Sequence, residues 1–244
     1  MHELTLYHAL FSTCSQKVRY ALGKKQLSYK SRIVDLSKGE HLEDWYLEIN
    51  PNGVVPSLIH NGNAITDSSV ICEYLDEVFP DPPLTPSDAV AKAAMRTWMR
   101  YFEEVPTAAI RAPSFNALFA KGIASRGEEE NRRQRDKMPL RRHFYAKLGK
   151  EGFPQSMIDE SIERLVACLS RVDKATAGGG PFLLGEQLTI ADITLLPSIV
   201  RMDDLGMTEL WQNKRGVSRW YGMMLQDDAF EVAYMPGARI KRPA

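Results

Sequence analysis

Apolar and polar positions along the chain change period twice, and the changes divide it. Residues 4–8 (Leu-Thr-Leu-Tyr-His) alternate as a half-buried strand does, and from Ser12 to Lys25 the period lengthens to that of a helix, with Val18, Ala21 and Leu22 on one stripe and Gly23 weakening its end. Leu27 to Asp35 reads as a second strand that includes Tyr29 and Val34, and a loop with a short helical piece covers Lys38 to Leu47. Residues 57–60 and 63–66 flank Asn61-Gly62, a pair that marks a tight hairpin, and Val70, Ile71, Tyr74, Leu75 and Val78 then mark a helix to about Phe79. The order β-α-β-(α)-β-β-α makes a compact α/β unit with one parallel crossover and an antiparallel edge. Pro80-Asp81-Pro82-Pro83-Leu84-Thr85-Pro86 punctuates it as a linker.

Beyond the linker the pattern is helical throughout. Ala89 to Ala120 carries Ala94, Met95, Trp98, Met99 and Phe102 at helical spacing, with bends expected at Pro106 or Pro113. Residues 124–142 are dense in Arg, Lys and Glu and read as a solvated loop or exposed helix face, with a partner-binding patch as the other reading. Gln155 to Thr176 places Ile158, Ile162, Leu165, Leu169 and Val172 on one face, and a shorter helix covers Val217 to Leu225. Between them Thr189 and Asp192 stand at capping-box spacing, with Leu188 and Ile193 as a hydrophobic staple, at the start of a helix apolar enough to be buried.

Composition narrows the partners. The 244 residues are 44% apolar and 25% charged, the range of soluble globular proteins, and 31 basic side chains balance 31 acidic ones. A net charge of zero gives no global attraction for nucleic acid or an anionic membrane. The first residues, Met1-His2-Glu3-Leu4, lack a charged-then-apolar signal, and no apolar run approaches a membrane span. Three cysteines, Cys14, Cys72 and Cys168, match no disulfide framework or zinc spacing, and the five histidines are scattered; a reducing, cytoplasmic setting with no metal is expected.

Two features suit a small peptide ligand. Pro56 stands at the entrance of the 57–60 strand, where a residue without an N–H must lie at an edge, bulge or turn. With a cis bond there, Val55 would present its own N–H and C=O to a peptide-like ligand. Asp67 and Ser68 stand at a helix N-terminus, where free N–H groups and the dipole favour an anion.

Ser12-Thr13-Cys14-Ser15 leading into Val18-Arg19, His41 nine residues before Asn50-Pro51, Val55-Pro56, Asp67-Ser68 and the Thr189-Ile190-Ala191-Asp192 box resemble, in order and spacing, the cytosolic glutathione transferase superfamily. The first motif is similar to the zeta- and theta-type members that use a serine. Val70-Ile71-Cys72-Glu73-Tyr74-Leu75 and Glu151-Gly152-Phe153-Pro154-Gln155 resemble bacterial β-etherase-like members, which cleave aryl ethers. The resemblance implies a thioredoxin-like α/β domain over residues 1–80, a linker over 81–87 and an all-helical domain over 88–244. It implies a homodimer using glutathione as co-substrate against an apolar or aromatic electrophile, by aryl ether cleavage or dehalogenation.

It also implies roles. Ser12 would hold the sulfur as thiolate, with Thr13 as fallback donor; a simple N-cap is the other reading of Ser12. Cys14, near the same helix end, is either a structural thiol or the nucleophile of a thiol oxidoreductase or isomerase, and a non-catalytic glutathione-binding protein is a third reading. Val55, beside Pro56, would pair with the cysteinyl unit. Ser68 and Asp67 would take the γ-glutamyl end, and His41, with Lys38 as second candidate, the glycyl carboxylate. Trp98, Tyr101, Phe102 and Arg111 are the candidates for the electrophile pocket, although the first three also suit ordinary core packing.

Overall fold

The computed structural model describes residues 3–120, 122, 125 and 127–240. Four strands, β1 (Leu4–His8), β2 (Lys30–Ile33), β3 (Ser57–His60) and β4 (Asn63–Thr66), form one sheet in the order β2-β1-β3-β4. β1 and β2 are parallel, as the crossover through α1 (Thr13–Lys24) requires, while β3 runs antiparallel to both β1 and β4. The second strand is shorter than its apolar pattern: only Lys30–Ile33 pairs, as an exposed edge, and Leu27 and Tyr29 turn instead toward the core.

The alternation of β1 sets what lies on each face. Leu4 and Leu6, with Leu58 of β3, pack under Val18 and Leu22 of α1 and under Ile71 and Leu75 of α3 (Ser68–Val78). The opposite face carries a smaller cluster of Ala9, Val34, Tyr46 and Val55, in which Tyr46 comes from the short helix α2 (Asp44–Leu47). Val55–Pro56 is cis, and so is Asp81–Pro82.

The rest is helical: α4 (Ala89–Glu104), α5 (Pro106–Ala109), α6 (Arg111–Leu118), α7 (Glu128–Asp136), α8 (Arg142–Tyr145), α9 (Gln155–Thr176), α10 (Ile190–Asp204), α11 (Arg215–Gln226) and α12 (Asp228–Ala233). The chain breaks at Val105, where Pro106 opens α5, whereas Pro113 is accommodated in the first turn of α6. α10 is almost wholly buried at the centre. At its start the Asp192 carboxylate accepts from the Thr189 N–H (2.9 Å) and hydroxyl (3.0 Å), the Leu183 N–H (3.0 Å) and the Trp220 indole (2.9 Å). Among the described residues no helix is long and apolar enough to cross a membrane.

The two parts share α1, which packs on α3 within the first part and on α10 and α12 of the second. Lys17 of α1 is 2% exposed and pairs with Glu103 of α4, while the Ser69 hydroxyl donates to the same carboxylate at 2.7 Å. Burial alone would lower the pKa of the Lys17 ammonium, but Glu103, with smaller help from the Cys14 and Cys72 thiols, turns the net direction upward; Glu103 moves below the usual carboxylate range.

Candidate active site

The turn between β1 and α1 is held from beneath by two buried arginines. Arg19 donates to the carbonyls of Leu10 (2.6 Å), Ala9 (3.3 Å) and Ala233 (2.8 Å), and Arg201 donates to that of Phe11. Arg19 also donates to His8 Nδ1 at 3.0 Å, which leaves Nε2–H to donate to the Ser31 hydroxyl at 2.8 Å. His8 is therefore neutral: burial first, then the Arg19 charge, lowers its pKa to about 4. Arg19 stands in the sequence motif, but its support of the turn, and that of Arg201, comes only with the fold. The available signal was a charged residue inside the apolar stripe of Val18, Ala21 and Leu22.

On this support Ser12 caps α1, its Oγ accepting from the Ser15 N–H at 3.3 Å. An oxygen that accepts in the cap keeps its own proton free to donate outward. Thr13 and Cys14 follow in the first turn, where unpaired N–H groups and the helix dipole favour negative charge. Ser12, Thr13 and Cys14 all line one cavity of about 870 Å³.

A second turn supplies the neighbouring wall. The Val54 carbonyl accepts from the Tyr46 hydroxyl and from Asn50 Nδ2, both at 2.8 Å, and Gly53 takes a positive φ of 58° that glycine tolerates. This anchors the backbone so that Val54 and Val55 face the cavity. Among the described residues the Val55 N–H and C=O make no backbone hydrogen bond. His41, on the short 3-10 turn Glu40–Leu42, lines the same wall, and its Nδ1 is buried without a partner. Burial, then the charge of Arg141, lowers its pKa to about 4, so it stands as a neutral hydrogen-bonding group.

The remaining candidates lie elsewhere. Lys38 is exposed, pairs with Asp35 at 3.5 Å and does not line the cavity. Asp67 has a φ of 70° and caps α3, accepting from the Ser69 and Val70 N–H groups at 2.9 and 3.2 Å. Ser68 is buried and accepts from Lys17 at 3.1 Å. Both stand at the α3 N-terminus, outside the cavity wall.

The electrophile pocket needs a correction. Of its four candidates only Arg111 lines the cavity. Phe102 is fully buried in the core, and the Arg171 guanidinium lies over both the Trp98 and Tyr101 rings, 4.6 and 4.2 Å from their centroids. The reason is the break after α4: its apolar stripe faces α10, and the chain reaches the cavity only in α6. There Phe115, Leu118 and Phe119, at i, i+3 and i+4, form an aromatic wall that meets Phe11 (5.6 Å between the Phe11 and Phe119 rings) and Tyr145 (5.1 Å from Phe115). That spacing was the available signal.

The charged stretch also needs revising. Residues 124 and 126 lie outside the described residues. The rest of it is solvated on one side, yet Asn131, Gln134, Arg135, Met138 and Arg141 line the cavity, and Pro139 packs against the Gly53 turn. This segment roofs the cleft between the two parts of the molecule.

The arrangement is a hydroxyl at a helix N-terminus, free main-chain groups beside a cis-proline and an aromatic wall facing both. Residues 6–83 match the family model of the glutathione S-transferase N-terminal domain, and residues 155–222 match that of the C-terminal domain. The chain belongs to the glutathione S-transferase family. It is 32% identical to protein LigF of a Sphingobium species over 73% of this chain and 71% of that one. To glutathione S-transferase 1 of Dianthus caryophyllus it is 32% identical over 81% and 76%. Among solved structures, the beta-etherase LigF of Sphingobium superposes with a TM-score of 0.81 at 27% identity, covering 95% of this chain and 98% of that one. Glutathione is the co-substrate of this transferase family. The site has matching features for it: the orphaned His41 nitrogen is a partner for a carboxylate, and the Val55 groups are partners for a peptide unit.

Proposed function

We propose that this transferase presents the glutathione thiolate to an aromatic electrophile, with cleavage of an aryl ether as its sharper form and displacement of an aryl halide as the other. The observation that carries the reading is the single cavity that joins the Ser12 end of α1 to the Phe115–Phe119 wall of α6. Its volume of about 870 Å³ lies high in the range of small-molecule sites, consistent with a tripeptide and a second aromatic molecule together. The likeness to the beta-etherase LigF supports the ether.

In this reading residues 1–80 bind glutathione, 81–87 link, and 88–244 supply the electrophile pocket. The Ser12 O–H donates to the sulfur and, with the dipole of α1, favours its charged form, so the nucleophile is present at neutral pH. Val55, next to Pro56, pairs with the cysteinyl unit, and neutral His41 donates to the glycyl carboxylate. The γ-glutamyl end goes to the α3 N-terminus at Asp67 and Ser68, over the buried charge of Lys17. The enzyme acts as a cytoplasmic homodimer, a state that sedimentation equilibrium checks.

The test offers glutathione with a model aryl ether and an aryl halide and follows the thioether by mass spectrometry. It also follows thiolate absorbance against pH in the wild type and Ser12→Ala. Consumption of neither substrate, with thiolate formation unchanged in Ser12→Ala, rejects the reading. A mixed disulfide at Cys14 with activity lost in Cys14→Ser replaces it with thiol exchange.

A further inference from the structure

Arg111 opens α6 and contributes to the same cavity wall as Ser12, Thr13 and Cys14. It is half-buried and pairs with no carboxylate among the described residues. The acid whose charge reaches it, Glu103, is already engaged by Lys17 and Ser69. The other groups facing it are Arg141, the Cys14 thiol and the Tyr145 phenol. Burial raises the Tyr145 pKa, against the pull of Arg141 and Arg111, so its hydroxyl remains a neutral donor. A poorly compensated guanidinium and a phenolic O–H thus line the same cavity, the phenol ring lying against Phe115 of the aromatic wall. A cation held this way is costly unless an anion arrives to meet it.

The ether reaction creates such an anion. The thiolate attacks the ether carbon, the C–S bond forms, and the C–O bond breaks with its electron pair leaving on the aryl oxygen. The proton that the thiol gave up returns to that oxygen through water. Fixed donors aimed at the departing oxygen lower the barrier because, unlike water, they need no reorganisation as the charge develops. We propose that Arg111 and Tyr145 form a subsite for the leaving aryloxide oxygen. The inference rests on the ether-cleaving reading above. Arg141 also lines the cavity; its charge reaches His41, and it donates a hydrogen bond to the Tyr145 hydroxyl oxygen, which leaves the phenolic proton for the leaving oxygen.

The probe is 4-nitrophenol, whose anion is coloured, titrated against pH with protein saturated by S-methylglutathione. The wild type should lower the pKa of the bound phenol by about one unit, a tenfold preference for the anion. The shift should vanish in Arg111→Gln and shrink in Tyr145→Phe, which removes only a hydroxyl and keeps the test alive if the arginine variant does not fold. An unshifted phenol, or an equal shift in both variants, overturns the subsite. A second arm compares aryl ethers of graded leaving phenols: the loss in kcat should grow as the phenol becomes less acidic, with KM for glutathione unchanged. A uniform loss overturns the assignment. Absent ether turnover beside an intact dye shift overturns the ether reading alone, and intact turnover with no shift overturns the subsite alone.

Discussion

The Ser12 oxygen serves two partners that do not compete. Its lone pair accepts from the Ser15 N–H, so the hydroxyl proton has no local acceptor in the cap and points its chemistry outward. Ser12→Ala should raise the pKa of bound glutathione by about one to two units, the effect of one hydrogen bond to a charged group, read from thiolate absorbance against pH. Ser12→Thr should restore most of it. That the hydroxyl sits at the junction of strand and helix was legible in the sequence, because serine before a helical period is a local signal. Asp67 was legible in the same way, as a residue before a helix. Its carboxylate, however, is used by its own helix N–H groups, which only the folded structure reveals. The charge of Arg111 makes it a candidate, but nothing near it in the chain says that Glu103, the acid whose charge reaches it, is occupied by Lys17 of a distant helix.

At the scale of elements, the capping box of α10 does more than its two residues show. Asp192 accepts four donors from three segments, so Asp192→Ala should leave all four without an acceptor and cost about 3–5 kcal/mol, measured by urea unfolding, while Asp192→Asn should cost less. The box itself was legible, since Thr and Asp at i and i+3 form it locally; the bonds to Leu183 and Trp220 were not. The Lys17–Glu103 pair ties α1 to α4. Lys17→Met should cost about 2 kcal/mol, below the roughly 3–5 of a fully buried pair, because the Glu103 side chain is 32% exposed. Glu103 is held below its ordinary pKa, so its contribution is complete above the unfolded carboxylate range and fades as the pH falls. Lys17 is held above its own, so its share fades only as the pH rises past the unfolded lysine range.

Over the whole molecule, His8 and His41 both lie near pKa 4 against an unfolded value of 6.5. The unfolded chain takes up protons first as the pH falls, so stability is complete above pH 6.5 and declines toward pH 4. Urea midpoints should fall across that window, and more gently in His41→Asn. The two parts of the molecule contribute to the cavity separately: Phe115→Ala should raise KM for the aromatic substrate by roughly tenfold, as expected for about 1.4 kcal/mol of lost burial, with glutathione affinity unchanged. By itself the sequence determined three of the four strands, the capped helix starts after Ser12, Asp67 and Thr189, and the turn before Pro56, because periodicity, caps and turn residues act over a few positions. Only the tertiary structure decided which surfaces close the cleft. The break at Val105 turns α4 toward the core and α6 toward the cavity, and a charged helix has the same pattern whether it faces open water or, like α7, partly roofs a polar cleft.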